Sequence, residues 1–200
     1  GFEHLIGAIP RLLEEFPSLR VLHAGEFEHV IGEQGYRDRL RPALDKLGDH
    51  WVSLGLLGGE ELAAFFAACD VTVLPSLNRT ESFGFVQIES MLNGTPVVAS
   101  NLPGVRISIR TTGMGLITPI GDSEALASNL AAILRRPSEF FVPRAKIEAE
   151  FSVERTANDY IALYRRLRNQ ASHSRSYVRL LFFAMIVFLL SIFLPSRRAE

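Results

Sequence analysis

The stretch VTVLPSLNRTESFGFVQIESMLNGTPVVAS, residues 71–100, decides the fold because its pattern predicts a strand, a loop, a helix and a second strand in that order. Val- and Leu-rich residues 71–74 predict a short buried strand that a proline ends. Apolar positions at helical spacing predict a helix over Phe85–Leu92, with Gly94 placed to cap its C-terminus. The apolar run Pro96–Ser100 predicts the next strand. A strand, a helix and a strand joined in this way predict a parallel sheet covered by helices.

The same alternation continues on both sides of this stretch. Helical spacing, short apolar runs and turn glycines predict these elements: helix 5–16, strand 19–24, helix 36–47, strand 50–54 and helix 60–68 upstream, and strand 115–117, helix 123–135 and helix 153–168 downstream. Pro10 should kink or shorten the first helix, and Asp122 should cap the helix that begins at Ser123. The predicted fold class is therefore α/β, a Rossmann-like parallel sheet flanked by helices, in which ligands bind at the carboxyl ends of the strands.

Length and composition limit the possible classes of protein. A chain of 200 residues, 48% of them hydrophobic, is long enough for one α/β domain and too short for two, so residues 1–168 are assigned to one domain. The net charge of -1 provides no general field for nucleic acid, which we do not expect as a partner. Cys69, the single cysteine, cannot form a disulfide within the chain and is typical of a reducing compartment. The histidines lack ligand spacing, so no metal site is expected.

The C-terminal part of the chain has a different composition. Residues 160–199 contain seven arginines and no acidic residue, and Leu180–Leu194 is almost wholly apolar. As a helix this apolar segment spans about 22 Å, against about 30 Å for the hydrocarbon core of a bilayer. We predict a polar linker over 169–176, a single membrane helix over 177–195 that either spans the bilayer or lies in its interface, and a basic tail over 196–200. More arginines precede this helix than follow it, so the domain is expected at the cytoplasmic face of the membrane.

The loop and helix after the strand at 71–74 contain the residues best suited to bind a ligand. Free N–H groups at a helix start attract anions, and Gly84 allows a phosphate to approach the main chain, which indicates a diphosphate. Glu81 precedes these N–H groups and Glu89 lies about one turn into the helix. Carboxylates accept hydrogen bonds from the vicinal hydroxyls of a ribose or a hexose. Taken singly, a glutamate in a loop or on a helix is usually only solvated.

These residues lie in a string that resembles the donor-site signature of retaining GT-B glycosyltransferases, especially family 4 of the nucleotide-sugar glycosyltransferases. That signature is a Glu, seven residues and a second Glu, with Phe-Gly after the first. The resemblance continues in the same order through further segments and covers about residues 1–168. The segments are VSLG at 52–55, CDVTVLPS at 69–76, NGTPVVAS at 93–100, GMGLI at 113–117 and GD at 121–122.

The resemblance implies a role for each candidate residue. Glu81, the catalytic candidate, would contact hydroxyls of the donor sugar, and main-chain groups of Phe83–Val86 would bind the sugar and the diphosphate. Glu89 would hold the ribose hydroxyls. Leu56 would lie by the nucleotide base, although a leucine at such a position is more often part of a core.

Two features depart from the family pattern. The family usually has Gly-Gly and an acid after the strand at 96–100, whereas this chain has LPGVR at 102–106, and Arg106 receives no role. The basic pair that neutralises the diphosphate and the acceptor-binding domain would both precede Gly1. The chain is therefore expected to be a fragment without the acceptor domain. Arg79 could substitute as a phosphate cation or could be only a solvated loop residue.

The resemblance implies transfer of a glycosyl group, with retention, from a nucleotide-diphospho-sugar to a hydroxyl of a sugar, lipid-linked or polysaccharide acceptor. No cofactor beyond this donor substrate is expected. Two alternatives remain open: a non-catalytic, membrane-anchored nucleotide-sugar-binding module, and half of a sugar-nucleotide epimerase.

Overall fold

Helices and strands alternate along the chain in the computed structural model, which describes residues 1–26, 34–170 and 185. The helices are α1 (Phe2–Glu15), α2 (Gln34–Leu47), α3 (Gly59–Ala68), α4 (Phe85–Leu92), α5 (Arg106–Thr112), α6 (Ser123–Arg135) and α7 (Arg144–Phe151). The strands are β1 (Val21–Ala24), β2 (Trp51–Gly55), β3 (Thr72–Leu74), β4 (Val97–Ser100) and β5 (Gly115–Thr118). Short 3-10 turns cover Gly48–His50 and Pro137–Phe140.

The described strands form two parallel sheets, one of two strands and one of three. In one, β1 pairs with β2, with Val21 opposite Trp51 and a bulge at the carboxyl end of the pair. In the other, β4 lies between β3 and β5, with Val97 opposite both Thr72 and Gly115. The parallel α/β architecture predicted from the sequence is thus confirmed.

Helices cover both faces of the three-stranded sheet, and the side chains of its strand β4 show this directly. Val98 packs in one core cluster with residues of α1 and α6. Its neighbours Val97 and Ala99 point the other way, into a cluster that contains residues of α4, α5 and α7. All three side chains are fully buried, as expected for the central strand of the three-stranded sheet.

Predicted elements with strong end signals agree with the structure. Helix α4 has the predicted bounds, and Gly94 follows its C-cap with a left-handed φ of 88°. The Asp122 side chain caps α6 and accepts a hydrogen bond of 2.9 Å from the backbone N–H of Ala125. Helix α1 continues through Pro10 to Glu15, so the proline does not shorten it.

Two helices, α5 and α7, were not predicted. Helix α5 is short and rich in Ile, Thr and Ser, which are poor helix formers, and only the spacing of buried Val105 and Ile109 marks it. Helix α7 buries a single residue, Ile147, and so shows no amphipathic periodicity. Tertiary packing therefore stabilises both helices more than local preference does.

The contacts divide the chain into two compact units, residues 1–151 and 152–200. Within the second unit, residues 153–170 form a helix, α8, which includes the helix predicted over 153–168. Among the residues that the structure describes, no helix is both long enough and apolar enough to cross a membrane. The predicted membrane helix and basic tail lie outside the described residues, apart from Met185, so both stay predictions.

Candidate functional site

A cavity of about 490 Å³ lies next to the carboxyl end of β3. Its lining residues come from the start of α1, from α2 and from the loop after β3, and they are Gly1, Glu3, Tyr36, Ser76, Leu77, Asn78, Thr80 and Glu81. Of the candidate site residues, Glu81 is the one on this wall, where its side chain is partly exposed. The cavity is therefore at the edge of the sheet where the parallel topology predicts a ligand.

Local hydrogen bonds shape the loop that carries Glu81. The side-chain oxygen of Asn78 accepts bonds from the Thr80 backbone N–H, at 3.0 Å, and from the Thr80 hydroxyl. This Asx turn reverses the chain just before Glu81. The turn thus fixes the path of the backbone just before Glu81, which lines the cavity.

The loop enters α4 at Gly84, a position that only glycine can occupy without strain. Its φ of 75° lies in the left-handed region, and Gly84 is the N-cap of the helix. A Cβ added here would lie 2.5 Å from Leu74 Cδ2 and 2.8 Å from Gln87 Nε2. Conformation and packing therefore both require a glycine at the position that the signature predicted.

The buried side chain of Gln87 holds the loop in place through hydrogen bonds. Its amide nitrogen donates to the carbonyl oxygens of Phe83 and Val105, each at 3.0 Å. Gly104 packs so closely against the loop that a Cβ there would collide with the carbonyl oxygen of Ser82. Sequence reasoning assigned no role to Gln87 or Gly104. A glutamine at a buried position of α4 was the signal that could have indicated the bracing role.

The first turn of α4 presents backbone donors next to the loop. Its first intrahelical bond runs from Gln87 N–H to the Gly84 carbonyl, at 3.0 Å, so the N–H groups of Phe85 and Val86 precede the helical ladder. The Phe85 side chain is 74% exposed and meets the Phe83 ring edge-on, with 5.2 Å between centroids. These N–H groups can bind an anion such as a phosphate.

Four further residues from the sequence analysis do not line this cavity; Glu89, Leu56 and Arg79 are exposed, and Arg106 is partly buried. Glu89 projects from α4 into solvent, and the helix on which it stands is fixed to β3 by a 2.8 Å bond from the Ser90 hydroxyl to the Thr72 hydroxyl. Leu56 follows β2 and is 74% exposed, so it is not a core residue. Arg79 is exposed on the loop, and Arg106 donates to the Asn101 side chain at 3.1 Å.

Tyr36 and Glu3 form a polar anchor on the other wall of the cavity. The Tyr36 hydroxyl donates to the Glu3 carboxylate and accepts from the backbone N–H of Phe2 at 3.1 Å. Burial, together with the bond to Glu3, raises the pKa of Tyr36 to about 12. Burial acts to raise the pKa of Glu3, but the hydrogen bond from the Tyr36 hydroxyl and a backbone hydrogen bond outweigh it and lower that pKa. Neither group was predicted from sequence.

Comparisons with known proteins identify the family to which the chain belongs. A sequence profile described as "Glycosyl transferases group 1" matches residues 1–136. The phosphatidyl-myo-inositol mannosyltransferase of Mycobacterium leprae (strain TN) is 36% identical over 135 residues, which cover 68% of this chain and 34% of that protein. The chain therefore spans about a third of the length of this relative.

Solved structures share the fold. Anabaena HepE in complex with UDP and glucose is 26% identical, with a TM-score of 0.69 over 83% of this chain and 44% of HepE. Sucrose-phosphate synthase from Thermosynechococcus elongatus is 29% identical, with a TM-score of 0.62 over 81% of this chain and 42% of the synthase. The family profile covers more than half of the chain and agrees with the resemblance seen in its sequence, so the chain belongs to the glycosyl transferases group 1 family.

Proposed function

We propose that this chain is the donor-binding part of a glycosyltransferase that moves a glycosyl group, with retention, from a nucleotide-diphospho-sugar to an acceptor hydroxyl. The observation that carries the proposal is the loop between β3 and α4. It holds Glu81 on a cavity wall and leads directly into the free N–H groups of a helix start. Family membership supports transfer over the epimerase alternative.

We assign a chemically suited partner to each part of the donor. The N–H groups of Phe85 and Val86 bind the diphosphate and stabilise the charge that develops on it as the sugar departs. Glu81 accepts hydrogen bonds from the sugar hydroxyls, and Glu89 accepts them from the ribose. Leu56 packs against the base. The HepE complexes with UDP and with UDP-glucose support a nucleotide sugar as the donor.

The acceptor and the location are proposed on separate grounds. The relative named as a phosphatidyl-myo-inositol mannosyltransferase supports a sugar hydroxyl on a lipid-linked acceptor. A membrane helix over 177–195 would hold the donor site at the cytoplasmic face of the membrane, close to lipid-linked acceptors in that leaflet. A membrane-anchored module that binds the donor without transfer would have the same donor site.

Binding of nucleotides tests the donor site on this chain. We would titrate UDP, GDP and ADP, and the matching monophosphates, by isothermal calorimetry. We expect one diphosphate to bind at least tenfold more tightly than its monophosphate, because the second phosphate gains the α4 N–H groups. If no diphosphate binds more tightly than its monophosphate, the proposed donor site is wrong.

A further inference from the structure

Helix α8 has an apolar face that is exposed to solvent. Apolar residues recur along it at intervals of four and three residues, and the five exposed ones are Val153, Ala157, Tyr160, Tyr164 and Leu167. Val153 is 79% exposed and Tyr164 is 62% exposed. The rings of Tyr160 and Tyr164 lie 6.0 Å apart between centroids, as expected for neighbours on one face of a helix. Contiguous exposed apolar surface marks an interaction site, and we call these five residues the α8 seam.

The spacing of the α8 seam fits a second helix as its partner. Intervals of four and three average 3.5 residues, which is the repeat that keeps an apolar stripe facing another helix in a coiled coil. Ile161 and Leu163 border the stripe on opposite sides and widen it. The other side of the helix carries Asn158, Ala162 and Asn169, which offer no comparable apolar surface. One face of α8 is therefore suited to helix packing.

The charges of α8 are divided along its length. Residues 153–160 contain Glu154 and Asp159 against a single arginine, whereas residues 161–170 contain three arginines and no acid. A second α8 in parallel would place the two arginine-rich halves side by side, where they repel. An antiparallel α8 places each arginine-rich half against the acidic half of the other helix. The charges therefore favour an antiparallel pair of identical helices.

The two seams overlap fully in one antiparallel register. In it, Tyr160 of one copy packs beside Tyr164 of the other, and Ala157 packs beside Leu167, so that small residues face large ones in the outer layers. Ile161 meets the same residue of the second copy close to the two-fold axis. Tyrosine suits such a contact because its ring is buried while its hydroxyl can stay in water.

The same register pairs opposite charges along the edge of the seam. Positions 154 and 168 lie seven residues before and after Ile161, so all three border the seam on the same side. Glu154 of one copy therefore lies opposite Arg168 of the other, and two-fold symmetry forms this pair twice. The apolar repeat and the charges of α8 thus specify the same partner.

We propose that α8 joins two copies of this chain in an antiparallel helix pair, packed along the α8 seam and closed by two Glu154–Arg168 ion pairs. A helix of 18 residues is about 27 Å long, so the interface is small and the two copies exchange. The pairing goes beyond the proposed function and does not rest on it, because every donor-site candidate lies between Leu56 and Glu89.

Disulfide cross-linking of the full chain tests the contact. All variants carry Cys69→Ala, because Cys69 is the only cysteine in the sequence, and they are kept in mild detergent with micelles in large excess over the chain. Ile161→Cys places a thiol beside the two-fold axis. Ala162→Cys, the matched control, places one on the opposite side of α8. We expect covalent dimers to form at least tenfold faster with Ile161→Cys than with Ala162→Cys.

Reversal of charges tests the direction of the pair. In the Ile161→Cys chain, Glu154→Arg alone and Arg168→Glu alone should each slow cross-linking at least fivefold, because two like-charge pairs replace two ion pairs. Both reversals together should restore the rate to within twofold, since the ion pairs form again with their charges exchanged. Arg166→Glu, which lies away from the edge of the seam, is the control and should change the rate less than twofold.

Three results would overturn the proposal. Equal cross-linking by Ile161→Cys and Ala162→Cys, or none by either, would show that the α8 seam does not meet a second copy and is covered by another segment or another protein. A double reversal that fails to restore the rate would exclude the antiparallel register. Circular dichroism checks that each variant is folded, and if Cys69→Ala prevents folding, Cys69→Ser replaces it under the same criteria.

Discussion

At the scale of single residues, the two signature glutamates occupy different environments. Glu81 stands on a cavity wall, in a loop held by an Asx turn, whereas Glu89 projects from α4 into solvent. Different ligand groups can therefore reach them, and their substitutions should affect different measurements.

Glu89→Gln should weaken binding of the nucleoside diphosphate. A charge-assisted hydrogen bond contributes about 1.5 to 3 kcal/mol, so the dissociation constant should rise about 10- to 150-fold if one such bond to the ribose is lost. Calorimetric titration measures this change. Glu14→Gln, on the exposed face of α1 at the opposite edge of the sheet, is the matched control and should bind as the wild type does. Equal affinities for wild type and Glu89→Gln would contradict the ribose role.

Glu81→Ala should spare the diphosphate and affect the sugar. Its partner is the transferred sugar, so the variant should bind the nucleoside diphosphate normally and lose the difference in affinity between the nucleotide sugar and the diphosphate. In a longer protein that carries out transfer, the rate should fall. If the variant keeps the wild-type preference for the nucleotide sugar over the diphosphate, the proposed contact of Glu81 with the sugar is wrong.

At the scale of elements, the start of α4 depends on a short chain of contacts. Gly84 supplies the left-handed turn, Gln87 ties the loop to the start of α5, and Gly104 allows the loop to lie close. The geometry of the anion-binding N–H groups therefore depends on residues that need not touch the ligand.

A comparison of Gly84→Ala with Gly94→Ala distinguishes a change in the geometry of the α4 N–H groups from a general loss of stability. Both glycines have a left-handed φ, of 75° and 88°, and this strain alone should lower the free energy of unfolding of each alanine variant by about 1 to 2 kcal/mol, to which the collision at position 84 adds. Only at Gly84 would the new Cβ meet other side chains, whereas position 94 is open. Denaturant melts should show both losses, and nucleotide titration should show weaker binding for Gly84→Ala alone. Normal binding by Gly84→Ala would contradict the proposed geometry.

Strand β1 carries a partly buried histidine that should make stability depend on pH. Burial lowers the pKa of His23 below its usual value of 6.5, and its ring stacks with Trp51 at 6.1 Å. The unfolded chain therefore binds the proton more readily, so stability is full above pH 6.5 and falls as the pH drops below it. His23→Phe should reduce this fall between pH 7.5 and 5.5 in urea melts. An unchanged pH dependence in the variant would rule out His23 as its source.

At the scale of the whole molecule, distant parts of the sequence meet at one edge of the sheet. The cavity that holds Glu81 also takes residues from the start of α1 and from α2. Its walls therefore depend on the fold of the whole first unit.

The C-terminal segment should determine where the whole chain is found. The apolar residues Leu180–Leu194, with arginines on both sides, should carry the full chain into anionic liposomes and make it resistant to carbonate extraction. A chain ending at Asn169 should stay in the supernatant. Recovery of the full chain without detergent in the supernatant would contradict the membrane prediction.

The sequence by itself determined the alternating α/β order, the bounds of α4, the cap of α6 and the placement of Glu81 and Gly84 beyond the end of β3. These features depend on local signals, namely apolar periodicity, caps and glycines, which act over a few residues. Only the tertiary structure decided that Glu3 and Tyr36 line the same cavity as Glu81, that Gln87 and Gly104 brace the loop, and that β1 and β3 line one larger cavity. The partners in these contacts belong to different elements, and no local pattern specifies which elements pack together.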